Sequence, residues 1–266
     1  MKWYFAISES SLDLQSHDWP TLIKVAVASA QTHTRLAPHL LYDGQPNELT
    51  RWLEGRGVAI VHHTVPFLDA FEPAARARDH GRAWLAMVAG AFLRIEIPKI
   101  ELEDDVVFYT DCDVMFRPGF TLKDVARPRF FAASGRRRIL RRPIINSGVM
   151  LMNVPAMRRE YSEFVEFIRR NVGLGLDQEM LLAYFGRRID LLPNRLNWFP
   201  YRGVNDLAHL VHFHGPKPAA LEIVLAHPEA AAALPDEWRR LLGQDIDAYR
   251  HYTRLWRECA AGLEPA

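Results

Sequence analysis

The sequence predicts an α/β fold built on a mainly parallel sheet. Three observations predict it. Short apolar, β-rich runs recur through the first half of the chain, amphipathic helical patterns separate them, and proline or glycine marks the joints. Strands alternating with helices pair in parallel through right-handed crossovers.

Trp3-Tyr4-Phe5-Ala6-Ile7 reads as the first strand, running into Ser8-Glu9-Ser10-Ser11. Pro20 suits the first turn of a helix that carries Leu22, Ile23, Ala26, Val27 and Ala30 at helical spacing. His39 to Tyr42 forms a second strand before Asp43-Gly44. A short helix follows through Leu49, Trp52 and Leu53, closed by Gly55 and Gly57. Val58 to Val61 is a third strand. Trp84, Met87, Val88, Ala91, Phe92 and Ile95 define a long helix expected to end at Pro98. Val106 to Tyr109, Phe130 to Ala133 and Gly148 to Met152 are further strands. The cationic stretch containing Arg136, Arg137, Arg138, Arg141 and Arg142 is expected to be a solvated loop. As a sharper reading, that loop closes over a bound ligand or attracts a phosphorylated or lipid-linked one. Pro155 opens a helix through Met157, Tyr161, Phe164, Val165 and Ile168, and Asp177 is placed to cap another that runs to Gly186. Beyond about residue 219 the strand pattern stops, which divides the chain into a main domain, 1–218, and a helical C-terminal appendage, 219–266.

With 266 residues, 49% of them hydrophobic, the chain can bury one substantial core. A formal net charge of +1 argues against a nucleic-acid binder. Cys112 and Cys259 lie far apart and outside any metal-type pair, which suits a reducing compartment. With no secretory pattern and no long apolar run, the expected location is the cytoplasm. The C-terminal segment places Trp238, Leu241, Leu242, Ile246, Tyr249, Tyr252 and Trp256 among Arg239, Arg240, Arg250, Arg254 and Arg257. A basic aromatic helix can lie on an anionic inner membrane face as a peripheral contact. The preferred reading is a helix packed over the core with a solvated basic side.

The chemistry concentrates at Tyr109-Thr110-Asp111-Cys112-Asp113. If the preceding strand persists to its tip, Asp111 and Asp113 share a face at its carboxyl end, where open α/β sheets bind ligands. Paired carboxylates repel unless a cation lies between them, and hard oxygen ligands suit Mg²⁺ or Mn²⁺. Asp-x-Asp is often only a solvated turn, but here the flanks are almost wholly apolar.

Four later blocks give the pair its context: Asn146 to Asn153, Asp177 to Leu182, Leu192 to Trp198, and His212-Phe213-His214-Gly215-Pro216-Lys217-Pro218. Together with Phe92-Leu93-Arg94-Ile95 and the Asp-x-Asp run, their order and spacing over residues 84–218 resemble glycosyltransferase family eight. That family contains glycogenin and bacterial lipopolysaccharide galactosyl- and glucosyltransferases. The resemblance implies a GT-A nucleotide-diphospho-sugar transferase fold, with a mainly parallel twisted sheet flanked by helices. It also implies retaining transfer of a hexose from a UDP-sugar to an acceptor hydroxyl with Mn²⁺ or Mg²⁺, in settings such as cell-surface glycan synthesis. It places Asp111, Asp113 and His212 as metal ligands and Lys217 beside the donor diphosphate. His214 is a rival to His212, since both share a face if the segment is extended. Asp177 and Gln178 are the catalytic candidates. Gln178 is a poor nucleophile, so a front-face mechanism fits, with the amide steadying oxocarbenium-like charge. The remaining donor-binding candidates are Ser8, Arg94, Asn146, Gly148 and Gly215. Arg94 either reaches the diphosphate or partners a core carboxylate. Lys217 follows Gly215 after one residue where the family commonly has two, and the first strand lacks the family's Ala-Ser/Asp-Asp-Asn run.

Two rivals have their own signatures. A haloacid-dehalogenase-like Mg²⁺ phosphatase would carry Asp-x-Asp on its first strand, whereas here the pair follows three earlier strands. A catalytically silent nucleotide-sugar-binding scaffold would have lost a metal ligand, and all three are present.

Overall fold

The computed structural model describes residues 1–13, 17–138 and 141–263, with the side chains of 13, 137, 138, 141 and 142 outside that description. The chain begins β1 (Lys2–Ile7), α1 (Glu9–Asp13), α2 (Trp19–His33), β2 (Ala37–Tyr42), α3 (Glu48–Gly55) and β3 (Ala59–His62). It continues through α4 (Glu72–Arg76), α5 (Gly81–Ile100), β4 (Val106–Thr110), β5 (Val114–Phe116), β6 (Phe131–Arg138) and β7 (Arg141–Asn153). The last elements are α6 (Val154–Arg170), α7 (Asp177–Phe185), β8 (Asp190–Leu192), β9 (Leu210–His212), α8 (Pro218–Ala226), α9 (Asp236–Leu242) and α10 (Ile246–Ala261). These elements fall into two units.

The first unit holds a seven-stranded sheet in the order β3-β2-β1-β4-β7-β6-β8. All strand pairs are parallel except those of β7, which runs against both β4 and β6. The expected α/β alternation therefore holds, and helices flank the sheet. Trp3, Tyr4 and Phe5 are consecutive and all buried, as a strand covered on both faces requires. The core beneath includes Phe67, Phe71, Phe92, Phe131, Phe164 and Phe185, with edge-to-face contacts such as Phe131 on Phe185. The entry to α6 follows the sequence signal, with Pro155 in its first turn and the Asn153 side chain accepting from Ala156 N–H.

Two expectations are corrected here. Helix α5 does not end at Pro98 but runs to Ile100 with the proline inside its last turn. There a missing N–H removes one bond without breaking a long ladder. The arginine stretch is not a loop. Its described backbone belongs to β6 and β7, paired as Gly135 with Ile145, Arg136 with Ile144 and Arg138 with Arg141. Residues 139 and 140, and most of the arginine side chains on which the closing-loop reading rested, lie outside the described residues. A run of charges has no apolar alternation to mark a strand. The hairpin instead depends on close backbone approach, since a Cβ on Gly135 would meet the Ile144 carbonyl oxygen at 2.1 Å.

The second unit is helical around the two-stranded antiparallel pair β5 and β9, in which Val114 faces His212 and Phe116 faces Leu210. Its core joins Leu22 and Val25 of α2 to Met115, Val211, Phe213, Leu221, Tyr249, Tyr252 and Trp256. The aromatic face of α10 is thus core. The basic residues pair with acids on the outside: Arg239 with Asp236, Arg240 with Glu237, Arg250 with Asp247, Arg254 with Glu258 and Arg257 with Glu222. This is the packed helix with a solvated basic side that the sequence favoured. Among the described residues no helix is long and apolar enough to cross a membrane.

Candidate active site

The boundary between the units falls between Asp111 and Cys112. β4 stops at Thr110 and β5 starts at Val114, so Asp111 and Asp113 occupy the bend between two strands. The alternation expected to put them on one strand face does not apply, because the strand ends one residue before the pair.

In the first unit, Arg94 of α5 is the organising group. Its Nη2 lies 2.8 Å from Asp111 Oδ1 and its Nε 3.3 Å from Asp177 Oδ2. Nη1 donates to the Ser147 carbonyl at 3.0 Å and Nε to the Ala91 carbonyl at 2.9 Å. The guanidinium also lies over the Tyr109 ring, whose hydroxyl donates to Asp111 Oδ1 at 3.1 Å. Arg94 thus partners two carboxylates, and the planar fork lets one side chain hold several acceptors.

Asp177 does not cap α7. The N-cap position is Leu176, whose N–H is taken by Glu179 Oε2 at 3.1 Å, and Asp177 is the first helical residue. Its buried carboxylate instead accepts from Ser147 Oγ at 2.9 Å. Burial pushes the Asp177 carboxyl above the usual range, which the Arg94 guanidinium offsets only in part. Gln178 Oε1 accepts from Ser147 N–H at 3.2 Å. Asn146 Oδ1 accepts from Gly148 N–H at 3.1 Å, and the Gly148 carbonyl accepts from Asp111 N–H at 2.7 Å. One strand segment, residues 146–148, therefore ties Asn146, Asp111, Asp177 and Gln178 together. Ser8 shares no hydrogen bond with them; it is fully buried with its hydroxyl donating to the Ala86 carbonyl at 3.0 Å.

In the second unit, Asp113 and His212 are both buried, with His212 Nε2 3.2 Å from Asp113 Oδ1. Lys217 donates to Asp113 Oδ2 and also to the Phe213 carbonyl at 2.9 Å. Burial by itself would raise the Asp113 carboxyl, but the Lys217 ammonium and the His212 ring reverse this and hold it well below the usual carboxylate range. The other ring nitrogen of His212, Nδ1, donates to Asn197 Oδ1 at 2.9 Å. Nδ1 therefore carries a proton, and Nε2 is the nitrogen that faces Asp113. Strand β9 ends at His212, and His214 beyond it is exposed. Gly215 has φ +89°, and a Cβ there would meet Leu241 Cδ1 at 2.7 Å, so both conformation and packing call for glycine.

Sequence reasoning assigned no role to Asn197, Ser147 or Tyr109. Asn197 lay inside the Leu192 to Trp198 block without a role of its own, and its bond to His212 spans fifteen positions.

No protein-family model matches the chain, and no curated protein sequence does. Solved structures do. The chain is similar to the galactosyltransferase LgtC in complex with donor and acceptor sugar analogs, with TM-score 0.61, 19% identity, and 91% of this chain and 100% of that one covered. It is also similar to the glycosyltransferase GlyE of Streptococcus pneumoniae TIGR4, with TM-score 0.58, 17% identity, and 92% and 64% covered. Mouse xyloside xylosyltransferase 1 aligns with TM-score 0.54, 13% identity, and 80% and 97% covered. The fold is the GT-A glycosyltransferase fold.

Proposed function

We propose that the chain is a retaining glycosyltransferase of the family-eight kind, moving a hexose from a UDP-sugar to a glycan or other hydroxyl acceptor. The observation that carries this reading is the buried Asp113–His212–Asn197 chain, found in a fold otherwise seen in glycosyltransferases. A carboxylate kept ionised and an imidazole whose tautomer is fixed from behind fit a divalent-metal site. Asp111, joined to Asp113 through a single residue, would complete the ligand set with them. Two carboxylates and an imidazole suit Mn²⁺ or Mg²⁺. When bound, the ion supplies positive charge against the departing diphosphate.

The chain's own residues do the rest. Lys217 adds a point charge for the diphosphate. Asp177 and Asn146 bind and orient sugar hydroxyls, and Gly148 permits close backbone approach to the sugar. Gln178, its amide oriented by Ser147, steadies oxocarbenium-like charge while the acceptor oxygen attacks from the face that UDP leaves. The acceptor proton passes to the departing phosphate oxygen on that same face. LgtC has an active-site glutamine, the one replaced by glutamate in its mutant structure, which supports this reading of Gln178. Arg94 holds Asp111 and Asp177 in register, and through them bears on the donor.

The test is calorimetric binding of UDP with and without Mn²⁺, followed by UDP-sugar hydrolysis. Mn²⁺-dependent UDP binding and slow release of hexose from one UDP-sugar are expected. Phosphate release from a simple phosphoester, with no nucleotide binding, would move the chain to the phosphatase class.

A further inference from the structure

Strands β5 and β9 of the second unit run antiparallel, with Asp113 and His212 at one end of the ribbon. At the other end Arg117 follows Phe116, and its backbone N–H donates to the His209 carbonyl at 2.9 Å. Four steps of extended chain, roughly 13 Å, separate Asp113 from Arg117. Arg117 is half-buried. Among the described residues its side chain pairs with no carboxylate, and its Nη1 is buried with no hydrogen-bond partner. The guanidinium lies 5.8 Å from the centroid of the Tyr252 ring, whose hydroxyl is fixed by Asn205 N–H at 2.8 Å. On α10 the His251 ring meets the same Tyr252 ring edge-on at 5.0 Å, and His251 Nε2 is likewise buried with no partner. His33, the last residue of α2, is near enough to Arg117 for their charges to oppose each other.

Burial, and after it the Arg117 charge, pushes both His33 and His251 below the usual imidazole range. Arg254 acts on His251 in the same direction, against Asp206 and Glu258, and Glu258 is itself paired with Arg254. Positive charge and unmet donors are thus gathered at one place. Packing alone does not explain the set, since an apolar side chain at position 117 would cover Tyr252 without bringing a charge to be desolvated. A buried donor without an acceptor is destabilising, and an anion that accepts from several donors removes that cost.

We propose that Arg117, His251 and His33 form a binding site for a phosphoryl group, separate from the candidate active site. The guanidinium fork engages two phosphoryl oxygens, and the imidazoles donate to what remains. A carboxylate has only two oxygens and satisfies the fork alone, whereas a phosphoryl group has acceptors for all three side chains. Its source is inorganic phosphate or a soluble phosphomonoester. The site stands independently of the nucleotide-sugar reading, because none of its three residues belongs to the groups assigned to donor, metal or acceptor.

The test titrates inorganic phosphate and glycerol 3-phosphate calorimetrically into the wild-type chain, Arg117→Gln and His251→Gln, without metal and with chloride holding the ionic strength constant. Circular dichroism and melting temperature check that each variant folds. The imidazole titrations of His33 and His251 are followed by NMR with and without phosphate, and His33→Gln and His251→Gln assign the signals. The expected result is at least a tenfold loss of phosphate affinity in Arg117→Gln and a several-fold loss in His251→Gln. Both imidazole titrations should move to higher pH when phosphate is bound, because the anion favours the protonated rings. Should Arg117→Gln fail to fold, His251→Gln and the two imidazole titrations decide the matter. Tighter binding of the phosphomonoester identifies an organic phosphate as the source, and tighter binding of the free ion identifies phosphate itself; either order supports the site. Phosphate affinity unchanged in both variants, with neither imidazole moved, would place any binding elsewhere and overturn the proposal. A wild-type chain that binds neither anion would overturn it as well, and neither failure touches the nucleotide-sugar reading.

Discussion

His212 Nδ1 and Asn197 Oδ1 lie 2.9 Å apart, and both residues are almost completely buried. The bond decides which ring nitrogen of His212 is available to a ligand. Asn197→Leu should therefore weaken Mn²⁺ binding by roughly 10–100-fold. It should also cost about 1–3 kcal/mol of stability, through the donor left unpaired. Asn197→Asp, which keeps the acceptor, should restore much of the affinity. Mn²⁺ titration and chemical denaturation of the two variants check this, and equal Mn²⁺ affinity in Asn197→Leu would remove the tautomer argument.

Asp113 is the counter-charge to Lys217, and under the proposed function it is a metal ligand as well. Asp113→Asn should abolish metal-dependent donor turnover and destabilise the fold by about 1–3 kcal/mol, because the Lys217 ammonium keeps its burial and loses its partner. Adding Lys217→Met should recover much of the stability and none of the turnover. Full activity in Asp113→Asn would refute the metal assignment.

Arg94→Lys conserves charge and loses the fork. A single ammonium cannot reach Asp111, Asp177 and the Ser147 carbonyl together, so those carboxylates should shift. We expect kcat to fall roughly 100-fold with a smaller change in KM for the donor. A change confined to KM would instead favour direct contact between Arg94 and the diphosphate.

Glu101 should make acid stability visible. Its buried carboxylate accepts from Tyr4 Oη at 2.7 Å, from Glu103 and Asp104 N–H at 2.7 and 2.8 Å, and from Lys2 Nζ at 3.1 Å. Burial alone would raise this carboxyl, but these donors bring it down to about 2. A folded-state value below the ordinary 4.3 or so means the stabilisation is complete above that pH and is lost as pH falls toward 2. The loss should amount to roughly 2–3 kcal/mol. Glu101→Gln should be less stable at neutral pH and should show a flatter stability profile between pH 5 and 2. An unchanged slope in denaturation measurements over that interval would rule Glu101 out as the acid-sensitive group.

Much of the first unit, and helix α2 of the second, was legible in the sequence. Trp3 to Ile7, His39 to Tyr42 and Val106 to Tyr109 are strands because consecutive apolar side chains can be buried only in a covered sheet. The helices around Leu22, Phe92 and Phe164 follow from 3.6-residue periodicity and from Pro20 and Pro155 at their first turns. The hairpin through Arg136 and Arg141 was missed because its signal is a backbone approach at Gly135 and not a pattern of side chains.

The candidate site divides along the same line. The sequence by itself determined the residue types, their order along the chain and the α/β frame that presents them, since periodicity, turn chemistry and motif spacing are local properties. Only the tertiary structure decided that Arg94 holds Asp111 and Asp177, that His212 is buried while His214 is exposed, and that Asn197 stands behind His212. Lys217 and Asp113 are 104 positions apart. Partners at such separations are chosen by how buried charges can be neutralised once the core has closed, and no local pattern records that choice.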